Sequence, residues 1–295
     1  MLHLIVSYAV PAGVFALMLI AGTDITAANF VRVAKHPRAV AIGALGQIVV
    51  LPPLGFLVTA ATAAGSFIST AVLLLSLCPG GAISNSYSYL ARCNVSLSAT
   101  ITAVGTLLCL VSIPLWLEAI SGSAAFGVSL PNVLASKILL QLAVFMALPM
   151  TLGMTLLGVC PRFVEQRKRA LRWTSFAIIL AILLATAWAV RDDIATLARD
   201  IVVTAALFIL GAMLLGRVMA YGMNLEDGPV LVIESAVRNV GVALIIGRGM
   251  FDEPSFGKFA TFLTGYFVIE IMIMVPYAQV VRARLARRPA VQTAK

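Results

Sequence analysis

Along the chain, long apolar runs alternate with short polar or charged stretches. Nine such runs recur, at about residues 4–22, 39–61, 67–91, 95–117, 133–159, 173–190, 199–221, 228–249 and 258–281. Each is close to the ~20 residues that a helix needs to cross about 30 Å of hydrocarbon. None shows the alternating ten-residue pattern of a membrane β-strand. The pattern predicts an all-α polytopic membrane protein of about nine transmembrane helices, with a bend at Pro52 and Pro53 in the second.

Two of the nine runs are interrupted. Cys78-Pro79-Gly80-Gly81 breaks the third and is followed by the polar pair Ser84-Asn85. The eighth carries a carboxylate, a guanidinium and an amide at Glu234, Arg238 and Asn239. Proline and glycine free peptide groups that lipid cannot satisfy, so a break belongs where protein or water can reach it. Paired interruptions in two halves of a membrane chain point to the binding site of a secondary transporter. Five spans separate the two, so the broken helices run in opposite directions. Spans five to nine would then form one repeat, with spans one to four an inverted copy lacking its first helix.

Composition agrees: 61% of the 295 residues are hydrophobic and 11% charged, against about 25% charged in soluble proteins. The net charge of +9 would suit nucleic acid on a soluble fold, but here the cations gather between spans. Arg162, Arg167, Lys168, Arg169 and Arg172 follow the fifth span, and Arg282, Arg284, Arg287, Arg288 and Lys295 follow the ninth. By the excess of cations in cytoplasmic loops, these segments, with 24–38, lie inside, and the N-terminus, the cation-free loop 118–132 and the mixed loop 191–199 lie outside. The four cysteines have no pairing or metal spacing, and His3 and His36 are the only histidines. No Ser, His and Asp set or nucleophile elbow is visible, which counts against an intramembrane enzyme.

Glu234, Arg238 and Glu270 are the deep ionisable residues, and such groups ordinarily face the protein interior with a partner. Glu234 and Arg238 are spaced to pair across one helical turn if the helix continues there. Ser98 and Thr102 share that spacing, either as a pair of ligating hydroxyls or bonded back to their own helix. Ser84 and Asn85 could equally cap the second half of the broken helix. Together these groups offer neutral oxygens and one carboxylate, a setting for a small hard cation.

The stretch Cys78-Pro79-Gly80-Gly81 with Ser84-Asn85, Tyr89-Leu90-Ala91-Arg92, Asn94 and Ser98, together with Glu234 to Gly241, resembles the bile acid:sodium symporter family. The resemblance implies a core domain with two crossed broken helices moving against a panel domain. It divides the chain into 1–38 (first panel helix and cytoplasmic loop), 39–118 (core), 132–190 (panel), 198–283 (core) and a basic cytoplasmic tail, 284–295. It further implies a sodium site formed by Ser84, Asn85, Ser98, Thr102 and Glu234, a second sodium site at Gln47, and substrate contacts at Asn239, with Arg238, Ala82 and Glu270 beside it.

One departure from the family pattern matters. Arg238 stands where the family carries a Gln of the second sodium site, and a guanidinium has donors but no acceptor. The expectation is that Arg238, paired with Glu234 and Gln47, replaces that ion and leaves one coupled sodium. The implied function is sodium-coupled uptake of an organic anion by alternating access in the cell membrane. An uncoupled or proton-coupled channel or exporter is the alternative. The partners are the organic anion and the lipid bilayer, with no nucleic acid and no obligate protein partner.

Overall fold

Helix is the only extended regular structure among the described residues, as lipid requires of backbone that must satisfy its own polar groups. The computed structural model describes residues 8–26, 29, 31, 33, 37–62, 65–121, 135–189 and 191–287. Residues 122–132 of the loop and the basic tail beyond Arg287 lie outside them.

Helix α1 is Val10–Gly22 and α2 is Pro37–Thr62. The first broken pair follows as α3, Ser66–Leu77, and α4, Ile83–Ala91, and then α5, Val95–Ser121. Helix α6 starts as Ala135–Leu142 and ends as Leu148–Val159, α7 is Pro161–Ala189 and α8 is Arg191–Met219. The second broken pair is α9, Gly228–Ala236, and α10, Val240–Met250, before the long α11, Glu253–Ala286.

Five of these helices are individually long and apolar enough to cross a membrane: α2, α5, α6, α8 and α11. Each half of a broken pair is only 9 to 12 residues long, about 14–18 Å of helix, so neither half can span alone. Leu57, Leu140, Leu214 and Met272 project outward from four of the long helices, each about two-thirds exposed, as lipid-facing side chains do.

The bend expected at Pro52 takes the form of a π turn, Gly46–Val50, directly ahead of the Leu51-Pro52-Pro53 segment. A second π turn, Ala143–Ala147, precedes Leu148-Pro149 in α6. Widening the turn relieves the clash between a proline ring and the carbonyl one turn earlier. The first π turn also carries Gln47, which it aims inward.

Two segments read as loops are helical instead. The basic stretch from Pro161 is the opening of α7, and 191–199 opens α8. Lys and Arg are good helix formers, and each stretch adjoins a span that propagates its helix backwards.

Helix α1 packs between α6 and α7, while α2, α3, α4, α5, α8, α9 and α11 pack largely on one another. The α1–α6 contact is a backbone contact. A Cβ on Gly22 would strike the Met150 carbonyl oxygen, and one on Gly153 would strike that of Leu19. Small residues allow this approach, which is a main source of helix association in lipid. Gly153→Val should therefore cost about 1–3 kcal/mol through overpacking. Gly158→Val, five residues on and facing open space, should be near neutral in the same thermal unfolding assay in detergent.

Candidate functional site

The first break runs from Cys78, extended at the end of α3, to the start of α4 at Ile83. The second is tighter: Val237 is extended at φ −92°, ψ 115°, and Asn239 caps α10 with its side-chain oxygen 3.2 Å from the Val242 N–H. The two breaks meet as an isolated antiparallel bridge between Gly80 and Arg238. Asn239 N–H donates to the Pro79 carbonyl at 2.9 Å, and Gly81 N–H to that of Val237 at 3.4 Å. Each interruption thus satisfies peptide groups that the other exposes. A Cβ on Gly81 would come within 2.9 Å of the Arg238 carbonyl oxygen, so the glycine is what lets the two backbones touch.

Beside the bridge lies Glu234, 1% exposed. Its Oε1 accepts from Ser84 Oγ at 2.5 Å and from Ser98 Oγ at 2.6 Å. Thr102 Oγ1 is 3.0 Å from both carboxylate oxygens, and Gln47 Nε2 donates to Oε2 at 3.2 Å. Gln47 also reaches across to the first break, where its Oε1 accepts from Gly80 N–H at 3.0 Å. Four helices, α2, α4, α5 and α9, thereby converge on one carboxylate. Ser98 and Thr102 bond to Glu234 rather than back to their own helix, and α4 has no side-chain cap from Ser84 or Asn85.

Asn85 is the fifth member of the expected cation set, and its Oδ1 is buried without a hydrogen-bond partner. It lines a cavity of about 30 Å³ together with Thr102 and Asp24. A larger cleft of about 140 Å³ adjoins it, between α1, α7 and the crossing. Ala82, Arg238 and Asn239 line that cleft, with Gly81 and the first residues of α4 and α10. Asp24 reaches both cavities and pairs with Lys168 of α7 at 3.6 Å.

Two expectations need correction. Glu234 and Arg238 do not form the predicted ion pair, because the helix stops between them. The Arg238 guanidinium turns instead to main-chain oxygens, donating through Nη1 to Cys78 at 3.1 Å and through Nη2 to Glu234. Gln47 bonds to Glu234 and Gly80, not to Arg238. Glu270 in turn lies outside the cleft, where its helix contributes Phe267. It is fully buried and accepts from Tyr87 Oη at 3.4 Å.

Tyr266 escaped the sequence reading. Its hydroxyl donates to the Ala236 carbonyl at 2.7 Å and accepts from Arg238 N–H at 3.0 Å, so it braces the second break from both sides. The one available signal was its spacing of four residues from Glu270 on a single helix face.

A sequence model of the Sodium Bile acid symporter family matches residues 11–197. The chain belongs to this family. It is 25% identical over 252 residues to the rice protein named "Probable sodium/metabolite cotransporter BASS2, chloroplastic", a match covering 82% of the chain and 57% of that relative. It is 33% identical over 94 residues to the "Uncharacterized sodium-dependent transporter YocS" of Bacillus subtilis, covering 32% of the chain and 29% of the relative. Human "Sodium/bile acid cotransporter 4" is 37% identical over 100 residues, covering 34% of the chain and 23% of the relative. The chain thus aligns with little more than half the length of the rice relative and with less than a third of the other two. The family membership and the apolar helices together mark it as an integral membrane protein.

Loss of the Tyr266 hydroxyl would leave a buried N–H and a buried carbonyl unpaired at the break. Tyr266→Phe should therefore lower stability by at least about 1–3 kcal/mol, measured by denaturant unfolding in mixed micelles with Tyr8→Phe, at an exposed position, as control.

Proposed function

We propose that this protein is a sodium-coupled importer of an organic anion that works by alternating access. The observation that carries the reading is the Glu234 cluster. One carboxylate surrounded by the hydroxyls of Ser84, Ser98 and Thr102, with the unpartnered Oδ1 of Asn85 close by in sequence, supplies hard oxygen donors and a single negative charge. That chemistry suits sodium, the cargo ion named for the family and for several relatives.

The cleft fits the second cargo. The N-termini of α4 and α10 and the Arg238–Asn239 backbone face it, and helix N-termini favour anions. Its walls are otherwise mostly apolar, with Leu17, Met18, Phe176 and Phe267 beside Ser86 and the Lys168-paired Asp24, so the substrate is an anion with hydrophobic bulk.

Arg238 takes the place of a second sodium in this reading. Its guanidinium donates to carbonyls at the C-terminal ends of α3 and α9, the negative poles of two half-helices, where a mobile cation would otherwise be held. One sodium then accompanies each anion.

The architecture proposed with this function has nine crossings, each broken pair counting as one. The inverted repeat gains support from Pro114 in α5 and Pro276 in α11, the proline-bearing helices that follow each broken pair. Helices α1, α6 and α7 would be the panel, and the rest the core. The N-terminus lies outside and the C-terminus in the cytoplasm of a cell membrane. Because the cleft reaches Asp24, which pairs with Lys168 in the basic start of α7, it opens inward.

The test is thermal unfolding of the purified protein in sodium and in potassium, with a panel of amphipathic carboxylates and sulfonates. Sodium should raise the midpoint and sharpen the response to one class of anion, since a ligand bound to the folded state stabilises it by mass action. Glu234→Gln should abolish the sodium response while keeping the fold. Arg238→Gln should steepen the sodium dependence from a Hill slope of about one towards two. Equal midpoints in the two salts would refute the coupling, and an unchanged slope would refute the role of Arg238.

A further inference from the structure

Of the three fully buried ionisable side chains around the crossing, the sodium reading uses two. Glu234 carries its hydroxyl cluster and Arg238 its two carbonyls, and their charges balance. Glu270 remains. It is 0% exposed, its Oε2 has no hydrogen-bond partner, and its Oε1 receives the long contact from Tyr87. No Lys or Arg among the described residues forms an ion pair with it.

The groups that face Glu270 come from three elements. Tyr87 reaches it from α4, Tyr266 from one turn earlier on α11, and the Arg238 peptide and guanidinium from the second break. Both tyrosines are neutral hydroxyls. The Arg238 guanidinium spends its terminal nitrogens on the carbonyls of Cys78 and Glu234 and forms no ion pair with either acid. An ionised Glu270 would thus be a buried charge with an open acceptor, a state that proteins avoid by neutralising the group.

We propose that Glu270 is a proton-binding site, loaded in the conformation described here and distinct from the sodium site. A protonated carboxyl is neutral and turns one of its two oxygens into a donor. The position links that proton to the crossing. Tyr87 belongs to the first broken pair, and Tyr266 clamps Ala236 and Arg238 of the second, so both breaks bear on the same carboxyl. Loss of the proton places an unpaired charge behind the bridge and loosens it.

The experiment uses the full chain in detergent and rests on the geometry of the crossing, not on sodium coupling. Thermal midpoints of wild type and Glu270→Gln are compared from about pH 5 to pH 9. Stability that depends on a bound proton is present at low pH and lost as pH rises. The wild-type midpoint should therefore fall towards alkaline pH, and Glu270→Gln, which mimics the neutral carboxyl, should lose most of that fall. The infrared carbonyl band of a protonated carboxyl should be present in wild type at neutral pH and missing from the variant. Tyr87→Phe removes the donor to the ionised form, so its fall should extend to higher pH than in wild type; this variant decides the matter if Glu270→Gln does not fold. Parallel pH profiles, or no carboxyl band assignable to Glu270, would overturn the proposal. A sodium response that persists in Glu270→Gln and disappears in Glu234→Gln keeps this outcome separate from that of the sodium site.

Discussion

A helix broken inside a bilayer exposes peptide groups that lipid cannot satisfy, and this structure answers that constraint by laying one break against the other. The Gly80–Arg238 bridge and its two hydrogen bonds complete both interruptions at once. Neither broken helix is a sound membrane element alone. Their mutual pairing explains why Gly81 has no side chain, why Tyr266 braces the far side, and why Gln47 reaches from α2 to touch both. It also fixes where four half-helix ends converge, two presenting carbonyls and two presenting N–H groups.

From that convergence the chemistry follows. The carbonyl ends attract positive charge, and Arg238 occupies them with a cation that cannot leave. The N–H ends line the cleft. Between them Glu234 gathers hydroxyls from α4 and α5, groups that cost little to bury while they are paired and that can turn their oxygens towards a small ion. On the proposed function, a fixed cation beside a site for an exchangeable one would set the charge of the centre, and with it the charge that a co-bound substrate has to carry.

Much of this was legible in the sequence, and the failures have physical causes. The first break announced itself through Pro79-Gly80-Gly81, residues that no continuous helix tolerates in an apolar run. The second has no proline or glycine between Glu234 and Asn239, so local propensity allowed a continuous helix and an ion pair across one turn. Tertiary contact overrides that propensity: the crossing strand from the first break takes the hydrogen bonds that the helix would have made. The grouping of Ser84, Ser98, Thr102 and Glu234 was recoverable through the family resemblance, since the spacing of the hydroxyls by itself left back-bonding and capping open. Tyr266 was not, since a tyrosine in a membrane helix is unremarkable until its partner is known. The helical starts of α7 and α8 were missed because charge marks a membrane boundary without ending a helix.

The central claim is that the two interruptions hold each other's backbone. Hydrogen exchange of the protein in detergent measures this directly, through the amides of Gly81 and Asn239. The account predicts protection comparable to the buried turns of α5 and α11, and far above that of the exposed loop at Tyr221–Asn224. Exchange of those two amides as fast as the loop would contradict it.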